Sequence, residues 1–143
     1  MAVRVRDAVA ADAGAVATLL SELGHPCSDD LAAERLGHFA ADLASSVQVA
    51  ESGGEVVGLV ATHIVPRLDA DLRSCRIVDL VVAEHHRRRG VATALVQAAE
   101  AQARRHGAAR LDLSSGDWRE DAHAFYASAG FELNARSFVK RLA

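Results

Sequence analysis

Apolar residues recur with two different spacings along the chain, and these spacings predict the order of its secondary structure. Strands are indicated by alternating or uninterrupted apolar runs, and helices by apolar residues three and four positions apart. Strand patterns are found at Val3–Arg6, Val47–Ala50, Val56–Ile64, Ile77–Val82, Leu111–Leu113, Phe131–Leu133 and Ser137–Leu142. Helical spacing is found at Val16–Leu23, Leu36–Leu43, Val91–Ala99 and Asp121–Ser128.

The resulting order, β α α β β β α β α β β, predicts an α/β or α+β domain with six or seven strands and helices on both faces of the sheet. Ser52-Gly53-Gly54 between two strand patterns is a hairpin signal. The length of 143 residues fits one domain over the whole chain, and an apolar content of 50% is enough for a substantial core.

Composition excludes several classes of function. A formal net charge of −3 and a pI near 6.1 give no electrostatic reason to expect nucleic acid as a partner. No run of about twenty apolar residues exists, so no membrane span is expected, and the N-terminus lacks the apolar core of a signal peptide. Two cysteines, Cys27 and Cys75, are too few for a disulfide framework or a zinc site. These features predict a cytoplasmic protein without a metal.

The segment Arg87–Thr93 is the most informative in the chain, because it follows the most β-prone run and opens a helix. A helix start presents unpaired N–H groups and the positive end of the helix dipole, which together bind phosphate oxygens. Gly90 and Ala92 are small enough for a phosphate to approach the backbone, and three arginines add positive charge. The sequence has neither a nucleotide P-loop nor a dinucleotide fingerprint.

These residues resemble a known family. Arg87-x-x-Gly90-x-Ala92 is similar to the [Q/R]-x-x-G-x-[G/A] signature of the GNAT superfamily of N-acetyltransferases, in its place between the fourth strand and the third helix. Downstream, Ala122–Phe131 resembles the A-x-x-F-Y-x-x-x-G-F element of the same family. The predicted element order agrees with that fold from Val3 to Leu142.

The resemblance implies an acyl-CoA site in a mixed, mostly antiparallel sheet whose fourth and fifth strands splay apart. The pantetheine arm would pair with the backbone of the fourth strand, and the pyrophosphate would lie on the amides from Arg88 to Thr93. The residues expected to bind acetyl-CoA are Leu80, Val81, Val82, Arg87, Arg88, Arg89, Gly90, Val91, Ala92, Thr93, Arg119 and Tyr126.

Arg119 marks a departure from the family pattern. Many relatives have an asparagine three residues before the alanine of the downstream element, and this chain has an arginine there. An arginine reaches either the phosphates of CoA or an acidic group of the substrate, so its role stays open.

Amide formation from a thioester needs a neutral amine, a hydrogen-bond donor for the oxyanion and a proton for the departing thiolate. The resemblance places Tyr126 near the CoA sulfur as the acid and the Val82 N–H at the oxyanion. Asp79, a carboxylate within an apolar run, is a candidate general base, directly or through water. It is equally a candidate structural acceptor for Arg76 or a backbone N–H, and His63 and His123 are alternative bases or substrate contacts.

The resemblance also places the acceptor on the side opposite the phosphates, framed by Leu23–Pro26 and the loop Pro66–Arg73. Glu22, Asp69 and Asp71 would attract a cationic amine there, or are ordinary solvated charges. The acceptor is expected to be a small-molecule or peptide amine. A different class of function, a non-catalytic acyl-CoA-binding regulatory or sensor module, stays as the alternative.

Assembly is predicted from the end of the chain. The last two predicted strands would leave a sheet edge near Phe138-Val139-Lys140. An unpaired strand edge invites pairing with another chain, so a homodimer is expected.

Overall fold

The structure is a computed structural model that describes residues 2–114, 120–133 and 138–142. The described strands are β1 Arg4–Asp7, β2 Ser45–Ser52, β3 Glu55–Val65, β4 Arg73–Val82 and β5 Ala108–Leu113. The described helices longer than one turn are α1 Ala13–Glu22, α2 Asp29–Ala41, α3 Val91–Arg105 and α4 Glu120–Ser128. The first nine elements of the predicted order are therefore confirmed in type and sequence.

The strands form one mixed sheet in the order β1-β2-β3-β4-β5. The first four pair antiparallel with their neighbours, and β4 pairs parallel with β5 because α3 provides the crossover between them. A mixed, mostly antiparallel sheet with helices on both faces was predicted and is confirmed. No helix in the described ranges has the length and apolarity that crossing a membrane requires.

The two strands predicted at the end of the chain are not found where residues are described. Residues 131–133 and 138–142 lie outside any strand, and residues 134–137 lie outside the described part of the chain. The side chains of Leu133, Phe138, Val139 and Leu142 are largely exposed. An apolar pattern forms a strand only when a neighbouring edge pairs with it, and these residues bury no face against the sheet.

Each face of the sheet has its own core. On one face α1 and α2 cover Val49, Leu59 and Val81, and on the other α3 packs on Val60 and Ile77. Ser28 caps the start of α2, since its hydroxyl accepts a hydrogen bond from the Leu31 N–H at 3.1 Å.

Gly58 in β3 sets how closely α3 approaches the sheet. A Cβ on Gly58 would lie 2.9 Å from the Val81 carbonyl oxygen and 3.0 Å from the side chains of both Val91 and Leu95. Because Val91 is the first residue of α3, the missing side chain at position 58 lets the start of this helix lie directly against β3 and β4.

Candidate active site

The turn between β4 and α3 is shaped by two residues with positive φ. Gly90 caps α3 with φ at 81°, and Arg88 has φ at 64°, although it is not a glycine. Within the described residues, no backbone N–H from Arg88 to Thr93 makes a hydrogen bond of normal geometry to another residue. Consecutive free N–H groups at the start of a 15-residue helix are an arrangement suited to an anion, and the phosphate site predicted here from the sequence stays a prediction.

The turn also fits a phosphate in shape. A Cβ built on Gly90 would meet no heavy atom within 4 Å, so the space above this residue is open to a ligand. His86 and Arg89 contribute to the lining of a neighbouring cavity of about 400 Å³, which places two basic side chains beside the same turn.

β4 contains a bulge that determines where its side chains point. Thr62 of β3 pairs with Ile77 and Ala61 pairs with Asp79, which leaves Val78 as an extra residue. Ile77 packs on the α3 face, and without the bulge Asp79 would follow it there. The extra residue instead turns Asp79 toward α1 and α2.

The backbone of β4 beyond the bulge is available on one side. The Ala83 N–H donates to the Val57 carbonyl at 2.8 Å, and bonding residues alternate along an antiparallel pair. Leu80 and Val82 therefore direct their N–H and C=O groups away from β3. The described pairing of β4 with β5 ends at Ile77, so these groups have no ladder partner on that side.

Asp79 lies in the wall of a cavity of about 470 Å³ between α1, α2 and the sheet. Most of the wall is apolar and comes from α1, α2, β2 and β3. The polar side chains that join Asp79 there are His25, from the connection between α1 and α2, and Arg35 from α2. The carboxyl at position 79 thus faces a solvent-accessible cavity whose wall includes two basic side chains.

Burial raises the pKa of the Asp79 carboxyl above its ordinary value, and the positive charges of His25 and Arg35 oppose that shift. The side chain is open to solvent through the cavity, yet protein surrounds it closely enough to weaken its hydration. A carboxyl with a raised pKa is a better proton acceptor than a fully hydrated one, which is the property a general base requires.

Tyr126 lies on α4 and is half-buried between two other aromatic rings. Its ring centroid is 5.6 Å from that of Phe125 and 5.9 Å from that of Phe131, both in edge-to-face geometry. Phe131 packs on the α3 face of the core, in the cluster that includes Leu80 and Val82. Through this contact, Tyr126 is anchored on the side of the sheet to which the two β4 residues direct their side chains.

The alternative bases differ in their surroundings. His63 Nδ1 lies 2.9 Å from the Ser45 hydroxyl and 3.7 Å from an Asp42 carboxylate oxygen, so its ring joins β3 to the start of β2. His123 occupies an exposed position on α4. Neither histidine lines the cavity of Asp79. Arg119 lies outside the described residues.

The expected frame of the acceptor site is only partly reproduced. Gly24, His25 and Pro26 line the cavity, and all three belong to the segment Leu23–Pro26 that was predicted to frame the acceptor. The loop Pro66–Arg73 does not line it, and Asp69 in that loop pairs with Arg67 at 2.8 Å. Glu22 and Asp71 are exposed residues outside the cavity wall.

The model of the acetyltransferase (GNAT) family matches residues 15–131. The chain belongs to this family.

Individual GNAT proteins give the same result. N-acetyltransferase family 8 member 2 from Rattus norvegicus is 35% identical over 94 residues, which are 66% of this chain and 42% of that protein. Aminoalkylphosphonate N-acetyltransferase from Salmonella typhimurium is 34% identical over 95 residues, 66% of this chain and 62% of that protein. The chain thus spans well under half the length of the rat relative.

Among solved structures, a transcriptional regulator from Bacillus halodurans C-125 superimposes with a TM-score of 0.90. The two share 21% identity over 99% of this chain and 100% of the other, so the likeness shows the GNAT fold alone.

Two features of the candidate site were not predicted from the sequence. The bulge at Val78 went unpredicted because Ile77–Val82 reads as one unbroken β run, in which Asp79 was the available signal of an irregularity. Arg35 was missed as a cavity residue. It stands one position before Leu36, and the spacing Ala32, Leu36, Phe39 already outlined the inward face of α2.

Proposed function

We propose that the chain is an N-acetyltransferase that moves the acetyl group of acetyl-CoA to a primary amine by direct attack in a ternary complex. One observation carries the proposal. The turn with free N–H groups from Arg88 to Thr93 and the unpaired backbone of Leu80 and Val82 adjoin at the same end of β4. Family membership supports it, since the cosubstrate of GNAT proteins is acetyl-CoA and their acceptors are amines.

The residues present fit two parts of acetyl-CoA, its charged pyrophosphate and its amide-bearing pantetheine arm. The N–H groups of the turn, with Arg87, Arg88 and Arg89 beside them, suit the pyrophosphate. The outward N–H and C=O groups of Leu80 and Val82 suit the amides of the pantetheine arm, which would pair as an added strand. In this proposal β4 and β5 diverge after Ile77 to admit the arm.

The catalytic roles follow from position. The Val82 N–H donates to the oxyanion that forms on the acetyl carbonyl. Asp79 accepts a proton from the acceptor ammonium, directly or through water, so that a neutral amine attacks. The new C–N bond forms, the C–S bond breaks, and Tyr126 donates its proton to the departing thiolate. The amide nitrogen loses its extra proton to solvent, from which Tyr126 regains one. The acceptor occupies the cavity that contains Asp79, on the opposite face of β4 from α3.

Acceptor-dependent release of CoA tests the proposal. The purified chain is incubated with acetyl-CoA and a panel of primary amines, and free thiol is measured while mass spectrometry identifies the acetylated amine. We expect thiol release that requires both protein and acceptor. Tight binding of acetyl-CoA without any acceptor-dependent release would instead favour the sensor module. A homodimer formed through the exposed apolar side chains of Phe138, Val139 and Leu142 is also proposed.

The Asp79 base makes a distinct prediction about pH. Asp79→Asn is expected to lower kcat/KM at least about tenfold at pH 7, with a smaller loss at pH 9, where more of the amine is already neutral. Because the pKa of Asp79 is raised, the wild-type profile should rise at a pH above the usual carboxyl range. That rise should disappear in the variant.

Asp69→Asn is the matched control, since Asp69 is a surface carboxylate paired with Arg67 outside the cavity. It should leave the pH profile of kcat/KM unchanged. An Asp79→Asn profile that superimposes on the wild type would remove the base role and leave Asp79 as a structural residue.

A further inference from the structure

The face of α2 that lines the acceptor cavity contains one cation among apolar residues. Ala32, Arg35, Leu36 and Phe39 follow the spacing of a single helix face. The other three side chains of this face are buried or half-buried, whereas Arg35 is exposed and keeps its contact with solvent. Its position in the cavity wall lets its guanidinium meet a molecule that enters the cavity.

Arg35 has no anionic partner within the described residues. Its polar contact there is a long one, from Nη1 to Cys27 Sγ at 3.9 Å. Its charge reaches Asp79 across the cavity, but the two groups form no ion pair within 4.0 Å. The guanidinium therefore keeps its planar set of donors available, and this geometry matches the two oxygens of a carboxylate or phosphonate.

The ionisable side chains of the cavity wall do not give the net negative charge that would favour a simple cationic acceptor. Glu22, Asp69 and Asp71 do not line it, and its ionisable wall residues are one carboxylate, one arginine and one histidine. An amine without an acidic group would meet a positive charge for which it has no complement. An amine with an acidic group can place its ammonium at Asp79 and its anion at Arg35.

The apolar part of the wall adds a second requirement. Val16, Leu20, Leu36, Phe39 and Leu59 contribute to a volume of about 470 Å³, which is far more than an ammonium and an acid occupy. The remaining space is bounded by aliphatic and aromatic carbon, so burial of an apolar substituent there is favourable.

From this arrangement we infer that the acceptor is an amino acid-like molecule, an amine that carries both an acidic group and an apolar substituent, and that Arg35 determines this specificity by binding the acid. The inference rests on the proposed acetyl transfer. Carboxylate and phosphonate share the required chemistry, and the experiment separates them.

Matched acceptors test the inference through kcat and KM. The set consists of L-phenylalanine, its phosphonate analogue, phenethylamine, which lacks the acid, and glycine, which lacks the apolar group. We expect the wild type to prefer one of the two aromatic acids over phenethylamine by about tenfold or more in kcat/KM, and over glycine as well. Arg35→Gln should abolish the preference over phenethylamine mainly by raising KM, whereas Arg35→Lys should keep part of it. Arg104→Gln removes an equal charge from the exposed side of α3 and should change nothing.

Binding measurements keep the inference separate from the proposed function. If no acceptor releases CoA, calorimetry with N-acetyl-L-phenylalanine still reports on the acid site. If N-acetyl-L-phenylalanine binds the wild type and not Arg35→Gln, the acid site is supported even though acetyl transfer fails. The inference would be overturned if the wild type had the same kcat/KM for phenethylamine as for the aromatic acids. It would also be overturned if the preference for the acid survived in Arg35→Gln.

Discussion

Replacing Gly90 by valine is expected to lower the affinity for acetyl-CoA by about a hundredfold or more. The valine side chain would fill the open space above the turn and separate the pyrophosphate from the N–H groups of Arg88 to Thr93. Loss of two hydrogen bonds to a charged group, at about 1.5 kcal/mol each, corresponds to roughly this factor. Isothermal titration calorimetry with acetyl-CoA measures it directly.

Gly107→Val is a closely matched control for the Gly90 variant. Gly107 follows the other end of α3, has φ at 70°, and also has no heavy atom within 4 Å of a built Cβ. Both variants therefore force a β-branched residue into left-handed backbone at a similar cost in stability. We expect similar losses in melting temperature but an unchanged acetyl-CoA affinity in Gly107→Val. Equal affinities in both variants would exclude the turn as the phosphate site.

The turn was predictable because its determinants are local. A β-prone run, a glycine and a helical apolar pattern follow one another between Ile77 and Leu95, and no distant residue is needed to make a helix start. The same holds for the order of the first nine elements. Elements set by short-range periodicity and capping were recovered from the sequence.

The orientation of Asp79 was not predictable, because it depends on pairing between strands. The bulge at Val78 arises from the register of β4 against β3, and a shift of one residue changes the face on which a side chain lies. The place of Arg35 in the cavity depends likewise on how α2 packs across the sheet. Both features involve residues far apart in the chain.

The two strands predicted at the end of the chain are not confirmed, although their local sequence pattern favours strands. Phe138 and Val139 have strong β propensity, yet their side chains are exposed and they lie outside any strand. β propensity describes how well a residue fits a half-buried surface, so it predicts a strand only where such a surface exists. The sequence indicated the propensity, but within the described residues no such surface meets these side chains.

Turnover is expected to fall by about a hundredfold or more in Tyr126→Phe, because the variant lacks the hydroxyl that protonates the departing CoA thiolate. The ring is retained, so its edge-to-face contacts with Phe125 and Phe131 should persist. Acetyl-CoA affinity and melting temperature should therefore change little. Steady-state assays on an acceptor that the wild type acetylates, together with calorimetry, measure both quantities.

The difference in turnover between wild type and Tyr126→Phe reports on proton donation when the chemical step limits the rate. A turnover rate that does not depend on solvent viscosity shows that this step is limiting, and it is measured for both proteins. A sensor module would show no acceptor-dependent release of CoA in either form, so this variant also separates the two classes of function. If Tyr126→Phe kept wild-type turnover under these conditions, Tyr126 would have no part in proton transfer. The thiolate would then take its proton from water or from the ammonium group of the attacking amine.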